Sequence, residues 1–269
     1  MENNRWPVEL ERRHVLSGTA ALAGAVILGG AADLAVPGIA EAAVKRPYIY
    51  TRGQWGARKP KVAATVLNRK PDHIVIHHTA SPNSKDYSTH HGAALSRSIQ
   101  AFHMDHNGWD DMGEQFTISR GGYVMEGRNR TLSAVAAHKH VVGAQTANEN
   151  SHTLGIENEG TYITATPTAK LWNALIETCA WLCDHYGLNP YTAIVGHRDY
   201  NSTQCPGNKL YSMLPTLRKS AAKRMAAAGT KVRLTERAAP KRTELRGAPQ
   251  YPRFRYDDGP ALGPDDPTR

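Results

Sequence analysis

The amino-acid sequence predicts an α/β fold: a single domain in which a central mixed β-sheet is flanked by helices. Short apolar segments typical of buried strands occur at residues 73–77, 153–159 and 193–196, and helical patterns separate them. Two further β-rich segments flank Gly121-Gly122 closely enough to form a hairpin. A hairpin is antiparallel, whereas strands joined through helices are usually parallel, so the predicted sheet is mixed.

The first half of this domain contains a strand, a helix and the hairpin. Residues 73–77 are apolar enough for a central strand, and the strand delivers His77 to the rim of the sheet. Residues 96–107 have a helical pattern that ends at Asn107-Gly108. In the hairpin, glycine permits the positive φ of a tight turn between residues 115–119 and 123–126.

The clearest helix of the second half is predicted to begin at Thr166-Pro167, a capping residue followed by proline, and to end at Gly187. Its apolar residues recur at helical spacing and form one stripe. They are Leu171, Leu175, Cys179, Leu182 and Tyr186. Cys179 is therefore predicted to be a buried thiol without a chemical role.

Both ends of the chain differ in composition from its middle. Arg12-Arg13 precedes an apolar run and a small-residue cleavage site at residues 40–42, which is typical of a secretory signal. The paired arginines favour the twin-arginine export pathway, so a secreted or cell-wall location is expected, with an uncleaved membrane anchor as the alternative. Residues 219–269 contain 12 Lys or Arg against 6 Asp or Glu and recurrent proline. This segment is predicted to be a disordered tail, either simply solvated or adhering to anionic cell-wall polymers.

The middle segment, residues 43–218, is predicted to be the folded domain. It is long enough for one hydrophobic core. The chain carries a net charge of +9, but no nucleic-acid-binding motif accompanies it, so nucleic acid is not expected as a partner. Cys179 and Cys183 lie four residues apart in the predicted helix and are not expected to form a disulfide.

Three potential metal ligands lie at or after the predicted strands. His77 ends the first strand, His197 follows the strand at residues 193–196, and Cys205 comes eight residues later. Two imidazoles and one thiolate suit Zn²⁺, and a site with three protein ligands leaves the fourth position for water. This pattern indicates a hydrolase, whereas a structural zinc site would normally have four protein ligands.

Five ordered motifs resemble the peptidoglycan recognition protein and type 2 N-acetylmuramoyl-L-alanine amidase superfamily. They cover nearly the whole middle of the chain, at residues 51–58, 75–80, 116–122, 154–160 and 196–207. The resemblance implies that His77, His197 and Cys205 bind zinc. Recognition proteins that bind without cleaving typically lack the cysteine, so Cys205 favours an enzyme. The implied reaction is hydrolysis of the amide between the lactyl group of N-acetylmuramic acid and L-alanine in peptidoglycan or muropeptides.

The resemblance also suggests the other catalytic groups. Thr203 matches a position where family enzymes place Lys or Thr near the oxyanion, and His138 resembles a histidine that lines the substrate groove. The general base departs from the pattern, because Glu114 stands where many catalytic members carry tyrosine. Glu157 resembles the catalytic glutamate of the branch that trims cytosolic muropeptides. We therefore expect Glu157 to be the base, with Glu114 as the alternative.

Three other functions are compatible with the same motifs. The first is a non-hydrolytic peptidoglycan-binding module, which the missing tyrosine favours. The second is a structural zinc domain. The third is a zinc peptidase that cuts within the stem peptide, which would use the same metal chemistry on a different bond.

Overall fold

The computed structural model describes residues 43–238 and residue 240. The predicted export signal, residues 1–42, lies outside this part of the chain. The strands are β1 (Ile49–Tyr50), β2 (Val66–Leu67), β3 (His73–His78), β4 (Phe116–Ile118), β5 (Val124–Glu126), β6 (His140–Val141), β7 (Thr153–Asn158) and β8 (Ile194–Gly196). The helices are α1 (Arg52–Trp55), α2 (Thr89–Ala101), α3 (Thr131–Ala136), α4 (Ala169–Tyr186), α5 (Pro190–Ala193), α6 (His197–Tyr200), α7 (Asn208–Ser212) and α8 (Leu214–Ala227), and a π-helical turn, Phe102–His106, continues α2.

Six strands form the central sheet in the order β1-β5-β4-β7-β3-β8. The β4–β5 hairpin is antiparallel, and every other pair in this sheet is parallel. The predicted mixed sheet with flanking helices is therefore confirmed. A separate small antiparallel sheet joins β2 to β6.

Successive side chains of a strand point to opposite sides, so the central sheet has two distinct faces. On one face Ile74 and Ile76 of β3, with their neighbours on β4 and β7, belong to the main hydrophobic core together with residues of α4 and α8. We call this the core face. The other face carries Val75 and His77 of β3, and we call it the site face.

Helix α2 lies against the site face. Its Gly92 is so close to β5 that an added Cβ would lie 2.9 Å from Met125 Cε and 3.2 Å from Ser119 Oγ. Glycine therefore allows α2 to approach the sheet at this point. A second buried cluster, formed by Trp55, Met112 and Met125, supports the same face.

Two predicted helices begin at other residues than expected. Helix α2 starts at Thr89, before the predicted residue 96, because Ser88 caps it by accepting a hydrogen bond from His91 N at 3.1 Å. Helix α4 is capped by Thr168, whose side chain accepts from Leu171 N at 3.2 Å. All five residues of the predicted apolar stripe are buried, and Cys179 is a free thiol among them.

The predicted domain boundary after residue 218 is wrong, and so is the start of the predicted disordered tail. Helix α8 runs through this point from Leu214 to Ala227. Ala221, Ala222 and Met225 are buried along it, and Val232 and Leu234 pack against the main core. Ala221, Ala222 and Met225 are spaced to cover one face of the helix, which the basic composition of the segment had concealed. Among the residues described, no helix is long and apolar enough to span a membrane.

Candidate metal and catalytic site

The three predicted metal ligands meet at one edge of the sheet. His77 lies near the end of β3, and His197 begins α6 directly after β8, which pairs in parallel with β3. A ligand atom from each of His77, His197 and Cys205 lies within 4.8 Å of the others, and all three residues are buried. The two imidazole rings have centroids 4.4 Å apart, and Cys205 Sγ lies 3.7 Å from His77 Nδ1. This cluster can hold a metal ion.

The electrostatic environment suits neutral imidazole and thiolate ligands. Burial, followed by the neighbouring His197, holds the pKa of His77 well below its usual value, so the ring is neutral. The backbone N–H of His78 donates to Cys205 Sγ at 3.4 Å, which favours negative charge on the sulfur.

The loop that carries Cys205 is held in place by Arg198. The backbone N–H of Arg198 donates to Cys205 O at 3.2 Å, and its Nε donates to the same oxygen at 3.3 Å. The guanidinium also donates to Asn208 Oδ1 at 2.7 Å and lies over the ring of Tyr211. Arg198 is thereby engaged in positioning the thiol relative to His197.

Each histidine of the cluster has an amide oxygen on its outer side. His77 Nε2 lies 2.6 Å from Gln145 Oε1, and His197 Nε2 lies 3.0 Å from Asn201 Oδ1. An amide oxygen can only accept, so Nε2 carries the hydrogen in both rings. Nδ1 is then the nitrogen that each ring can offer to a metal, and such outer partners fix the orientation of ligating histidines.

The two amides are themselves held by one loop. Gln145 Nε2 donates to Thr153 Oγ1 at 2.8 Å, and Asn201 Oδ1 accepts from Ala147 N at 3.1 Å, which sets the orientation of both amides. Asn150 Oδ1 accepts from Gln145 N at 2.6 Å. Gly155 leaves room for this arrangement, because an added Cβ would lie 2.8 Å from the Gln145 side chain. Sequence reasoning missed Gln145 and Asn201, since neither stands in a recognisable spacing.

Replacing Gln145 by Leu is expected to lower zinc affinity by about 10–100-fold, because the variant removes the acceptor that orients His77. Asn201→Leu should have a similar effect through His197. Competition with a chromophoric chelator would measure both affinities. Gln100→Leu is the matched control: Gln100 is an equally buried amide, but it bonds Asp111 and Arg58 rather than a ligand histidine. Equal affinity losses in all three variants would mean general destabilisation and would contradict this role.

Glu157 stands beside the cluster on the site face. It lies directly opposite His77 in the parallel β3–β7 register, and Thr117 lies on its other side. The Glu157 side chain is buried and lines a cavity of about 160 Å³ between α2 and the sheet. The other lining residues are Thr79, Ser81, Leu95, Ser98, Ile99, Phe102 and His103. A small substrate group entering this mostly apolar cavity would meet the Glu157 carboxyl.

Glu114 is the carboxyl next to Glu157. The Glu114 side chain is fully buried, and a hydrogen bond joins the two carboxyls. Burial raises the pKa of Glu114 from 4.5 to about 7, although the hydrogen bond to Glu157 and the nearby Arg128 oppose the shift. Two buried carboxyls in contact do not both ionise readily, so one proton is shared near neutral pH.

The raised pKa of Glu114 predicts how stability depends on pH. The unfolded chain loses this proton near pH 4.5, whereas the folded chain keeps it until about pH 7, so the contribution to stability present at low pH is lost as pH rises through this window. Glu114→Gln removes the ionisation but retains a hydrogen-bond donor. In the metal-free protein the variant should match the wild type near about pH 5 and melt at a higher temperature near about pH 8.5. An equal difference in melting temperature at both pH values would contradict the shift.

Two further predicted site residues lie in different places. Thr203 is next to the cluster, where its Oγ1 accepts from Cys205 N at 3.1 Å. His138 is not brought to the site: it ends the α3 turn with a φ of 54°, and its ring stacks on His185 of α4 at 4.0 Å. It lines a separate surface groove of about 740 Å³ with residues of the α4 end. Because α4 covers the core face, His138 lies apart from the cluster, and its substrate-binding role stays a prediction.

The comparisons with known proteins agree with this geometry. A sequence profile described as N-acetylmuramoyl-L-alanine amidase matches residues 67–208. The chain is similar to an N-acetylmuramoyl-L-alanine amidase of Sus scrofa, with 34% identity over 65% of this chain and 28% of that protein. It thus spans little more than a quarter of that relative's length.

The similarity to recognition proteins covers a larger share of those proteins' length. Peptidoglycan-recognition protein SC2 of Drosophila simulans is 32% identical over 62% of this chain and 85% of its own. Among solved structures, a mutant of Drosophila recognition protein LB in complex with tracheal cytotoxin is 28% identical, with a TM-score of 0.55 over 62% of this chain and 93% of that one.

Proposed function

The chain belongs to the N-acetylmuramoyl-L-alanine amidase family, and from this we propose that it is a zinc-dependent amidase acting on peptidoglycan. The bond cleaved is the amide between the lactyl group of N-acetylmuramic acid and L-alanine of the stem peptide. The observation that carries the proposal is the buried cluster of His77, His197 and Cys205 with Glu157 beside it.

The donor set fits a zinc ion. His77 and His197 would bind through Nδ1 and Cys205 through Sγ, while Gln145 and Asn201 hold the outer nitrogens of the rings. Nitrogen and sulfur donors of this kind are those that Zn²⁺ prefers. When bound, the ion supplies Lewis-acid polarisation of a substrate carbonyl and makes water more acidic.

Glu157 is the proposed general base. Its carboxylate takes a proton from the attacking water while the water oxygen adds to the carbonyl carbon, and it then returns the proton to the leaving amide nitrogen as the C–N bond breaks. Glu114 lies beside Glu157, and one proton shared by the two buried carboxyls near neutral pH leaves the pair one negative charge that can accept the proton of water. Glu157 has this role rather than Glu114 because only Glu157 lines the cavity.

Thr203 is the proposed oxyanion donor. Its oxygen accepts from the backbone N–H of Cys205, so the hydroxyl is held next to the residue that carries the thiol. A neutral hydroxyl stabilises developing negative charge less than a lysine ammonium would.

Peptidoglycan or its muropeptide fragments are the proposed substrates. The similarity to a recognition protein seen with tracheal cytotoxin supports this choice. Because intact peptidoglycan lies outside the cytoplasm, this substrate agrees with the proposed export through residues 1–42. The basic C-terminal residues are proposed to add contacts to anionic wall polymers.

A non-hydrolytic recognition module is the alternative. It is favoured by relatives named as recognition proteins and by Glu114 at the usual tyrosine position. The two functions differ in whether bound peptidoglycan is cut.

Incubation of the full chain with insoluble peptidoglycan separates these functions. The amidase should release soluble stem peptides, lose this activity to a chelator and regain it with Zn²⁺. A recognition module should sediment with the peptidoglycan and release nothing in any metal state.

A further inference from the structure

A second group of potential metal ligands lies at the opposite end of β3. Asp72 Oδ1 is 2.7 Å from His73 Nδ1 and 2.6 Å from His152 Nδ1. The three ligand atoms all lie within 4.8 Å of one another. His73 starts β3 and His152 immediately precedes β7, so the parallel pairing of these strands brings the two histidines together.

This group is separate from the first cluster. His73 precedes His77 by four residues on the same strand, which corresponds to about 13 Å at ~3.3 Å per residue. Tyr200 contacts the rings of both His73 and His152 at 6.0 Å between centroids and shields one side. The Asp72 side chain is 42% exposed and that of His73 20%, so an ion can enter from solvent.

The second nitrogen of His152 has the partner expected of a ligating histidine. Its Nε2 lies 2.7 Å from Glu149 Oε2, and a carboxylate at this position holds the ring so that Nδ1 points to the metal. His152 therefore has a carboxylate on each side. Without a metal ion, two neighbouring carboxylates favour the doubly protonated ring, and a metal ion bound at Nδ1 would replace one of its two protons.

We propose that Asp72, His73 and His152 form a second metal site, which binds a divalent transition-metal ion through two imidazole nitrogens and one carboxylate oxygen. The ion takes the place of the Nδ1 hydrogens that otherwise point at Asp72 Oδ1. It links the start of β3 to the start of β7, at the opposite end of β3 from the proposed catalytic cluster. This site is independent of the proposed amidase activity.

In the metal-free protein the group is held together by hydrogen bonds to an ionised carboxylate. Burial alone would raise the pKa of Asp72, but hydrogen bonds from His152 and His73 hold it well below its usual range, so the carboxylate is ionised. Burial lowers the pKa of His152, while the bonds to Asp72 and Glu149 raise it above its usual value. Metal binding therefore releases protons to solvent and weakens as pH falls.

Titration of the metal-free full chain with Co²⁺ tests the proposal. Two equivalents should bind near about pH 7.5, and a thiolate-to-cobalt charge-transfer band should accompany only the equivalent bound by Cys205. His73→Ala should remove one equivalent and leave that band unchanged. The exposed His90→Ala, which lies outside both groups, should still bind two.

The band also keeps the two sites distinguishable. One equivalent in the wild type, with the band present, overturns the second site and leaves the first intact. Two equivalents without the band support the second site while removing Cys205 from the first. Two equivalents retained by both His73→Ala and Asp72→Asn, in which the more exposed residues are changed, would place the second ion elsewhere and overturn the proposal.

Discussion

Replacing Glu157 by Gln is expected to lower turnover by about 10²–10⁴-fold while zinc affinity stays within a small factor of the wild type. The amide is nearly isosteric with the carboxyl but cannot accept the proton of the attacking water. Because Glu157 contacts the cavity and is not one of the three clustered ligand residues, the loss should appear in kcat. Steady-state hydrolysis of a purified muropeptide, with metal content measured on the same samples, would check this.

Glu114→Gln is the matched control for that experiment. It changes the neighbouring buried carboxyl in the same way but leaves the carboxyl that lines the cavity in place, so turnover should fall by less than about 10-fold. Unchanged turnover in Glu157→Gln together with inactivity in Glu114→Gln would assign the base to Glu114. Full activity in both variants would remove the carboxyl pair from the mechanism.

Replacing Cys205 by Ser is expected to have the largest effect on metal binding. A hydroxyl is a far weaker zinc ligand than a thiolate, so affinity should fall by more than the ~10–100-fold expected for loss of an outer partner. Hydrolysis should fall in parallel at limiting zinc. Chelator competition and atomic absorption would measure affinity and stoichiometry.

Cys179→Ala controls for loss of a buried thiol. Cys179 is a free thiol in α4 on the core face, so its variant should keep wild-type zinc affinity despite some loss of stability. A fully metallated and fully active Cys205→Ser protein would overturn the ligand assignment.

Regular periodicity made the central elements of the fold predictable. The apolar run of β3 and the glycine pair of the β4–β5 hairpin are recognisable sequence patterns. The structure has these elements close to the expected bounds. The apolar stripe of α4 was equally clear because its residues recur every three or four positions. The part of helix α8 beyond residue 218 was missed because its buried residues there are only Ala221, Ala222 and Met225, amid several basic residues.

Only part of the candidate site could be predicted from local sequence patterns. His77, His197 and Cys205 were found because metal ligands are few in kind and occurred in recognisable motifs. Gln145 and Asn201 act through single hydrogen bonds formed by the fold, and no spacing marks such contacts in advance. His138 was expected to line the substrate groove because of its local motif, whereas the left-handed turn after α3 places its ring against α4.

The contact between the carboxyls of Glu114 and Glu157 was likewise not predictable from the sequence. Glu114 and Glu157 lie 43 residues apart (157 − 114), and sequence reasoning treated them as alternatives for one role. The structure joins them, and burial, rather than any property of either motif, raises the pKa of Glu114 to about 7. The two residues can therefore act together, as a pair of carboxyls that shares one proton.

The most direct test of the amidase assignment is mass spectrometry of the soluble products from peptidoglycan digested with the zinc-loaded full chain. The account predicts free stem peptides that begin with L-alanine, glycan strands that retain intact lactyl groups, and neither product after chelation. Intact glycopeptides, or peptides cut after L-alanine, would contradict it. The former would indicate recognition without cleavage, and the latter a peptidase acting within the stem.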